Sequence, residues 1–149
     1  MKISGFLLGA CLLAAPASMA DTGTEGGSAN IAGLGTFEAD LPEPCSFNGQ
    51  ARLVASGEAG TYRCELTARQ HCPDIGVTYV VEQSCEVMEE DGAVTVQSTV
   101  RNFLEGAPTP NYLPDHFQLD IDDPASMSGL LIGSSLYPAI WRRANGAIS

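Results

Sequence analysis

The sequence predicts an all-β fold: a single small antiparallel meander forming a barrel or curled sandwich, stapled by two disulfides. Three observations carry that prediction. Beyond Phe37, apolar and polar residues alternate in several runs, and the helical period is missing. Turns bearing glycine, aspartate or proline separate these runs at short intervals. Four cysteines remain once an N-terminal export signal is set aside, and an even number in a small exported chain implies a disulfide framework.

The chain opens with that signal. Met1-Lys2 supplies the positive start, Ile3 to Ala15 is almost wholly apolar, and Pro16 breaks any helix. Ser18-Met19-Ala20 places small residues where a signal peptidase reads, so residues 1–20 are expected to be removed after Ala20. The apolar stretch is shorter than the ~20 residues a membrane helix needs, which argues against an uncleaved anchor. Leu8-Gly9-Ala10-Cys11 resembles a lipoprotein processing site. However, the apolar run continues as Leu12-Leu13-Ala14-Ala15, and lipidation of Cys11 is the weaker alternative. The expected location is periplasmic or secreted, with no integral membrane segment after cleavage.

Residues 21–36 are rich in glycine and small polar side chains. They lack the apolar surface to offset their ordering entropy and are expected to form a flexible leader. The β domain then spans 37–143, and 144–149 is a C-terminal tail. At 149 residues, one domain is the natural count. Lys2 is the only lysine, so cleavage leaves six arginines against 18 acidic residues, a formal charge of −12. Nucleic-acid binding is excluded by that balance, because phosphate contacts need basic residues in surplus.

Seven strands follow from the pattern beyond Phe37. Ser46–Ser56 is the first, and Thr61–Arg69 the second, with Tyr62, Cys64, Leu66 and Ala68 on one face. Residues 57–60 form the turn between them. Val77–Glu89 and Ala93–Phe103 are joined by Asp91-Gly92, a strong short hairpin signal. Three prolines make Glu105–Pro114 a loop. His116–Ile121 alternates inward with Phe117, Leu119 and Ile121, and a second acidic turn follows at Asp122-Asp123-Pro124. Met127–Gly133 and Leu136–Arg142 close the meander, although Ala125-Ser126-Met127 could instead begin a helical turn.

The turns set registers. A turn at 57–60 places Leu53 opposite Cys64, Ala51 opposite Leu66 and Arg52 opposite Glu65. A turn at 91–92 places Val87 opposite Val96 and Glu82 opposite Arg101. Opposite charges facing across a ladder contribute only about 0.2–1 kcal/mol, but they support the registers. The first register also brings Cys45 opposite Cys72 at the open end of the hairpin. Cys64 and Cys85 share the inward face of consecutive strands, and pairing them sets Arg63 opposite Glu86. Cys45–Cys72 with Cys64–Cys85 is therefore the expected connectivity. Zinc is the rival use of four cysteines, but zinc ligands normally come in pairs about two to four residues apart, and these are far wider. No metal and no cofactor is expected.

Few residues suggest chemistry. His71 and His116 are the only histidines, and neighbouring strand residues such as Asp115 and His116 point to opposite faces. No nucleophile elbow, zinc-binding helix motif or phosphate loop occurs. Asp115, Asp120, Asp122 and Asp123 form an acidic cluster without the glycine and terminal glutamate of a calcium loop, and read as an exposed turn. Glu86, Glu89, Glu90 and Asp91 likewise read as a solvated hairpin tip. The candidate partner or ligand surface is Tyr112, Asp115, His116 and Phe117 together with Trp141, Arg142 and Arg143, since arginine and tryptophan are enriched at binding hot spots.

A non-enzymatic role is expected: an exported binding or accessory module that docks on a protein partner in the envelope. A calycin-like carrier of a small apolar ligand is the alternative, and a hydrolase using Asp115 or His116 the third reading. A filled interior favours docking, an internal cavity above about 300 Å³ favours the carrier, and a cleft pairing His116 with another ionisable group favours the enzyme.

Overall fold

A computed structural model describes residues 30–144. The signal segment, the leader up to residue 29 and the tail after Ala144 lie outside the described residues. Eight antiparallel strands run in meander order: β1 (Gly33–Ala39), β2 (Ser46–Ala55), β3 (Thr61–Cys72), β4 (Val77–Glu90), β5 (Ala93–Glu105), β6 (His116–Asp123), β7 (Ser126–Ile132) and β8 (Leu136–Arg143). They close into a barrel because β1 pairs with both β2 and β8. A three-residue 3-10 turn, Pro73–Ile75, sits between β3 and β4. Closure leaves no unpaired first or last strand, which is how a barrel avoids edge-to-edge association.

The strand that closes the barrel begins at Gly33, inside the segment expected to be leader. Its sequence, GLGTFEA, has little strand character of its own, and two neighbours rather than propensity hold it. At Gly35 a side chain would press on the Arg142 carbonyl at 2.8 Å, so glycine permits the close approach of β8. Gly49 of β2 lies opposite Phe37, and a Cβ there would collide with the Phe37 ring and the Thr67 carbonyl. Small residues on β1 and β2 make room for large rings.

The hairpin registers agree with the sequence reading on most rungs. Leu53 faces Cys64, Ala51 faces Leu66 and Arg52 faces Glu65. Val87 faces Val96, and the turn at Asp91-Gly92 has positive φ at both residues (55° and 86°), the primed geometry a two-residue hairpin requires. The expected Glu82–Arg101 pair is displaced. Asn102 stands opposite Glu82, because β5 skips Arg101 and, further along, Leu104. Arg101 Nε donates instead to Ser84 Oγ at 2.9 Å. Such bulges bend a strand and add twist. β5 pairs with β6 only from Ala93 to Val96. No helical turn forms at Ala125–Met127; β7 starts at Ser126.

Both expected disulfides are present, Cys45–Cys72 and Cys64–Cys85. Cys64 and Cys85 are direct ladder partners with Cα atoms 4.6 Å apart. That is the spacing of a non-hydrogen-bonded antiparallel pair, where side chains approach most closely.

The core is built around aromatic rings. Phe37 stacks on Trp141 with centroids 5.1 Å apart, Phe117 meets Trp141 edge-on at 5.1 Å, and Phe47 packs on Phe37 at 5.7 Å. Val81, Val87, Val94, Val96 and Leu119 complete the interior and are wholly buried. Offset and edge-to-face ring pairs add about 0.5–1.5 kcal/mol each beyond the area they bury.

Candidate functional site

The filled waist leaves two ends. One end carries the turns at 56–60, 91–92 and 124–125, where β1 begins and β8 finishes. There the barrel opens as a recess of about 460 Å³ between the start of β1, β2, the β6–β7 hairpin and the end of β8. Leu53, Ile121, Met127 and Trp141 line it, each the product of a different strand's inward alternation. Trp141 is only 3% exposed, and Met127 lies directly across the ladder from it.

Residues 30–32 form a strap at this mouth. Arg143 Nη2 donates to the Asn30 carbonyl at 2.7 Å, and the Ile31 N–H donates to the Tyr62 hydroxyl at 3.3 Å. The strap thus ties the end of β8 to β3, and Ile31 and Ala32 add apolar wall to the recess. Three charged residues stand at the rim. Arg142 pairs with Glu38 at 3.0 Å, Arg143 holds the strap, and Asp123 accepts from the Ala125 N–H at 2.7 Å and the Ser126 hydroxyl at 3.2 Å. The rim charges are therefore spent on the fold itself. Beneath the recess wall the Trp141 indole N–H is buried, has almost no accessible surface, and meets no acceptor.

At the opposite end, Tyr79, Phe103 and Tyr112 pack edge-on with centroids 5.5–6.0 Å apart, and the β5–β6 loop closes over them. Asp115 ends that loop. It was expected in an exposed acidic turn, yet it is buried: its Oδ2 accepts from Gln83 Nε2 and from the Tyr112 hydroxyl (2.8 Å), while its N–H donates to Gln83 Oε1 at 2.9 Å. Burial raises the Asp115 carboxyl to a pKa of about 6, and the bonds from Gln83 and Tyr112 only partly offset that. Tyr112 is pushed above the usual phenol range by burial first and then by the charge and hydrogen bond of Asp115.

The other candidate residues are dispersed. Phe117 is wholly buried in the core and is not a surface residue; Trp141 is core on one side and recess on the other. His116 opens onto a furrow in the outer wall among Arg63, Glu86 and Arg101, but its Nδ1 accepts from the Ser98 N–H at 3.1 Å. Among the described residues no carboxylate bonds it, and the carboxyl of Asp115 is turned to Gln83 and Tyr112 instead. His71 Nδ1 meets Thr78 Oγ1 at 2.7 Å across β3 and β4. Asp120, Asp122 and Asp123 are exposed, and no group of three or more potential ligands gathers as a metal site among the described residues. The hairpin tip is not wholly solvated: Glu89 is buried, and its Oε2 accepts from the Gly92 N–H at 2.8 Å. No helix among the described residues is long and apolar enough to cross a membrane.

No protein family, curated protein or solved structure matches the chain. Four of the recess residues, Leu53, Ile121, Met127 and Ile31, escaped the sequence reading as site residues. Only Trp141 and the arginines beside it carried a signal.

Proposed function

We propose that this protein is an exported, non-catalytic binding module whose barrel mouth holds a small apolar ligand. The recess carries the reading. At about 460 Å³ it lies within the range of about 300–1,000 Å³ usual for small-molecule sites, and its walls are apolar side chains and a tryptophan. Placement in the periplasm or outside the cell, after cleavage following Ala20, is supported by two disulfides, which persist in oxidising compartments.

The test is uptake of a neutral apolar fluorophore, N-phenyl-1-naphthylamine, by the purified protein. Saturable fluorescence enhancement is expected from the wild type. Ala32→Phe, which fills the recess from the half-exposed strap, should lose most of it. Equal enhancement by both proteins, or none by the wild type, overturns the reading.

Docking on an envelope protein is the second reading. It is favoured by three large apolar side chains left exposed toward the same end of the barrel, Leu34 (44%), Val54 (47%) and Met88 (63%). Cross-linking from cysteines introduced at Val54 and Met88 should capture one defined partner if that reading holds, and no discrete adduct if it does not.

A further inference from the structure

Independently of the mouth recess, we infer that the opposite end of the barrel holds a second site, which binds a primary ammonium group on a small apolar stem through the carboxylate of Asp115. A cavity of about 290 Å³ lies there, walled by the β5–β6 loop and by strands β2, β3, β4, β7 and β8. Asp115 is the one charged residue in its wall; Phe47, Tyr79, Tyr112 and Tyr137 supply rings, and the remaining side chains are neutral. Asp115 is only 7% exposed, and its Oδ2 and N–H are engaged by Gln83 and Tyr112. Its other oxygen, Oδ1, bonds no group among the described residues, yet it keeps accessible surface. Oδ1 is therefore what Asp115 has left to present to the cavity.

The wall lacks the counter-charge that this carboxylate needs. Burial raises the Asp115 pKa to about 6, and above that pH the group is ionised all the same. No arginine, lysine or histidine lines the cavity, and no ion pair engages Asp115 among the described residues. A buried charge is costly unless it is paired. A water molecule on Oδ1 would satisfy a hydrogen bond but leave the charge unmatched. A calcium ion is a poor fit, because it takes about six to eight oxygens. One carboxylate among aromatic rings suits an organic cation instead: its N–H groups meet Oδ1 in a charge-assisted hydrogen bond, and the rings attract positive charge by their faces. The volume stands at the lower end of small-molecule sites, so the stem is short. The surrounding field favours such a ligand. Asp40, Glu43, Asp74 and Glu105 are exposed at this end, and its loops (40–45, 73–76, 106–115 and 133–135) contain no arginine or lysine.

Three probes of similar shape separate the chemistries: benzylamine, protonated at neutral pH, benzyl alcohol and benzoate. Titration of the nitrogen-15-labelled protein above the Asp115 pKa of about 6, followed by amide chemical shifts, gives affinity and location together. Saturable shifts at the Asp115 amide and the Gln83 side chain are expected with benzylammonium. It should bind about tenfold or more tightly than benzyl alcohol, with benzoate weakest. Asp115→Asn keeps the shape and an acceptor but removes the charge. It should cut benzylammonium affinity about tenfold while leaving that of benzyl alcohol within about twofold. Should Asp115→Asn fail to fold, the wild-type ammonium-to-alcohol ratio and the position of the shifts still decide. Equal affinity for ammonium and alcohol, tightest binding by benzoate, or no saturable shift at Asp115 overturns the inference. Shifts confined to the mouth around Trp141 overturn it as well, because they assign the amine to the recess.

Discussion

Asp115 is the residue whose replacement should change the protein's response to pH most. Its carboxyl is buried at the end of the β5–β6 loop, and its pKa rises from 3.8 to about 6 because burial disfavours the charged form. The folded state therefore holds this proton more tightly than the unfolded chain does. The stability it contributes is fully present below about pH 3.8, declines as pH rises through about 6, and is gone above that. Each pKa unit corresponds to about 1.4 kcal/mol, so the interval from 3.8 to about 6 amounts to roughly 3 kcal/mol. That is a large share of the roughly 5–15 kcal/mol a domain of this size has in total.

Asp115→Asn isolates the effect. The amide stays uncharged at every pH and keeps an acceptor for Gln83 or Tyr112, so any fixed offset it introduces is independent of pH. Urea unfolding, followed by Trp141 emission with the disulfides intact, gives the free energy of each protein from pH 4 to pH 8. The wild type is expected to lose about 2.5 kcal/mol relative to the variant across that interval, most of it between pH 4 and pH 7. Parallel profiles would refute the reasoning, because they would mean that Asp115 is not desolvated. Above pH 10 the wild type should lose further stability as the Tyr112 proton, also held by burial, is given up in the unfolded chain first.

Three further outcomes follow from the packing. Gly49→Ala forces a Cβ against the Phe37 ring and the Thr67 carbonyl, and should destabilise the barrel by about 1–3 kcal/mol in the same unfolding assay. Replacing Cys64 and Cys85 together with alanine opens a loop with a sequence separation of 21, and should lower the unfolding free energy by about 3 kcal/mol; a loss below about 1 kcal/mol would show that the β3–β4 ladder needs no covalent tie. Glu38→Gln breaks the pair with Arg142, but both side chains are more than half exposed, so calorimetric melting should register a change of under about 1 kcal/mol.

Much of the barrel was legible because its information is local. Alternation assigned strand faces, Asp91-Gly92 located a hairpin, and those registers carried Cys45 to Cys72 and Cys64 to Cys85. What escaped depends on partners far along the chain. β1 is held by β8, whose Arg142 lies 104 positions from its partner Glu38. Asp115 is buried by Gln83, 32 positions away, and no window around an Asp-His pair shows that. The Arg101 bulge disturbs a rung that a constant register would keep, because an extra residue in one strand leaves no mark in the alternation of the other.

The recess illustrates the same division most clearly. Each of Leu53, Ile121, Met127 and Trp141 is assigned inward, or left ambiguous, by the period of its own strand, and an inward side chain reads as core. Whether such residues fill space or line it depends on how far each strand runs at the mouth. β6 and β7 turn at Asp123–Ser126 while the start of β1 and the end of β8 stand opposite. Phe37 and Phe117 fill the waist on one side of Trp141 and leave its other surroundings apolar and open. Trp141 thus stands between a packed core and the mouth, and no pattern within β8 alone separates those two roles.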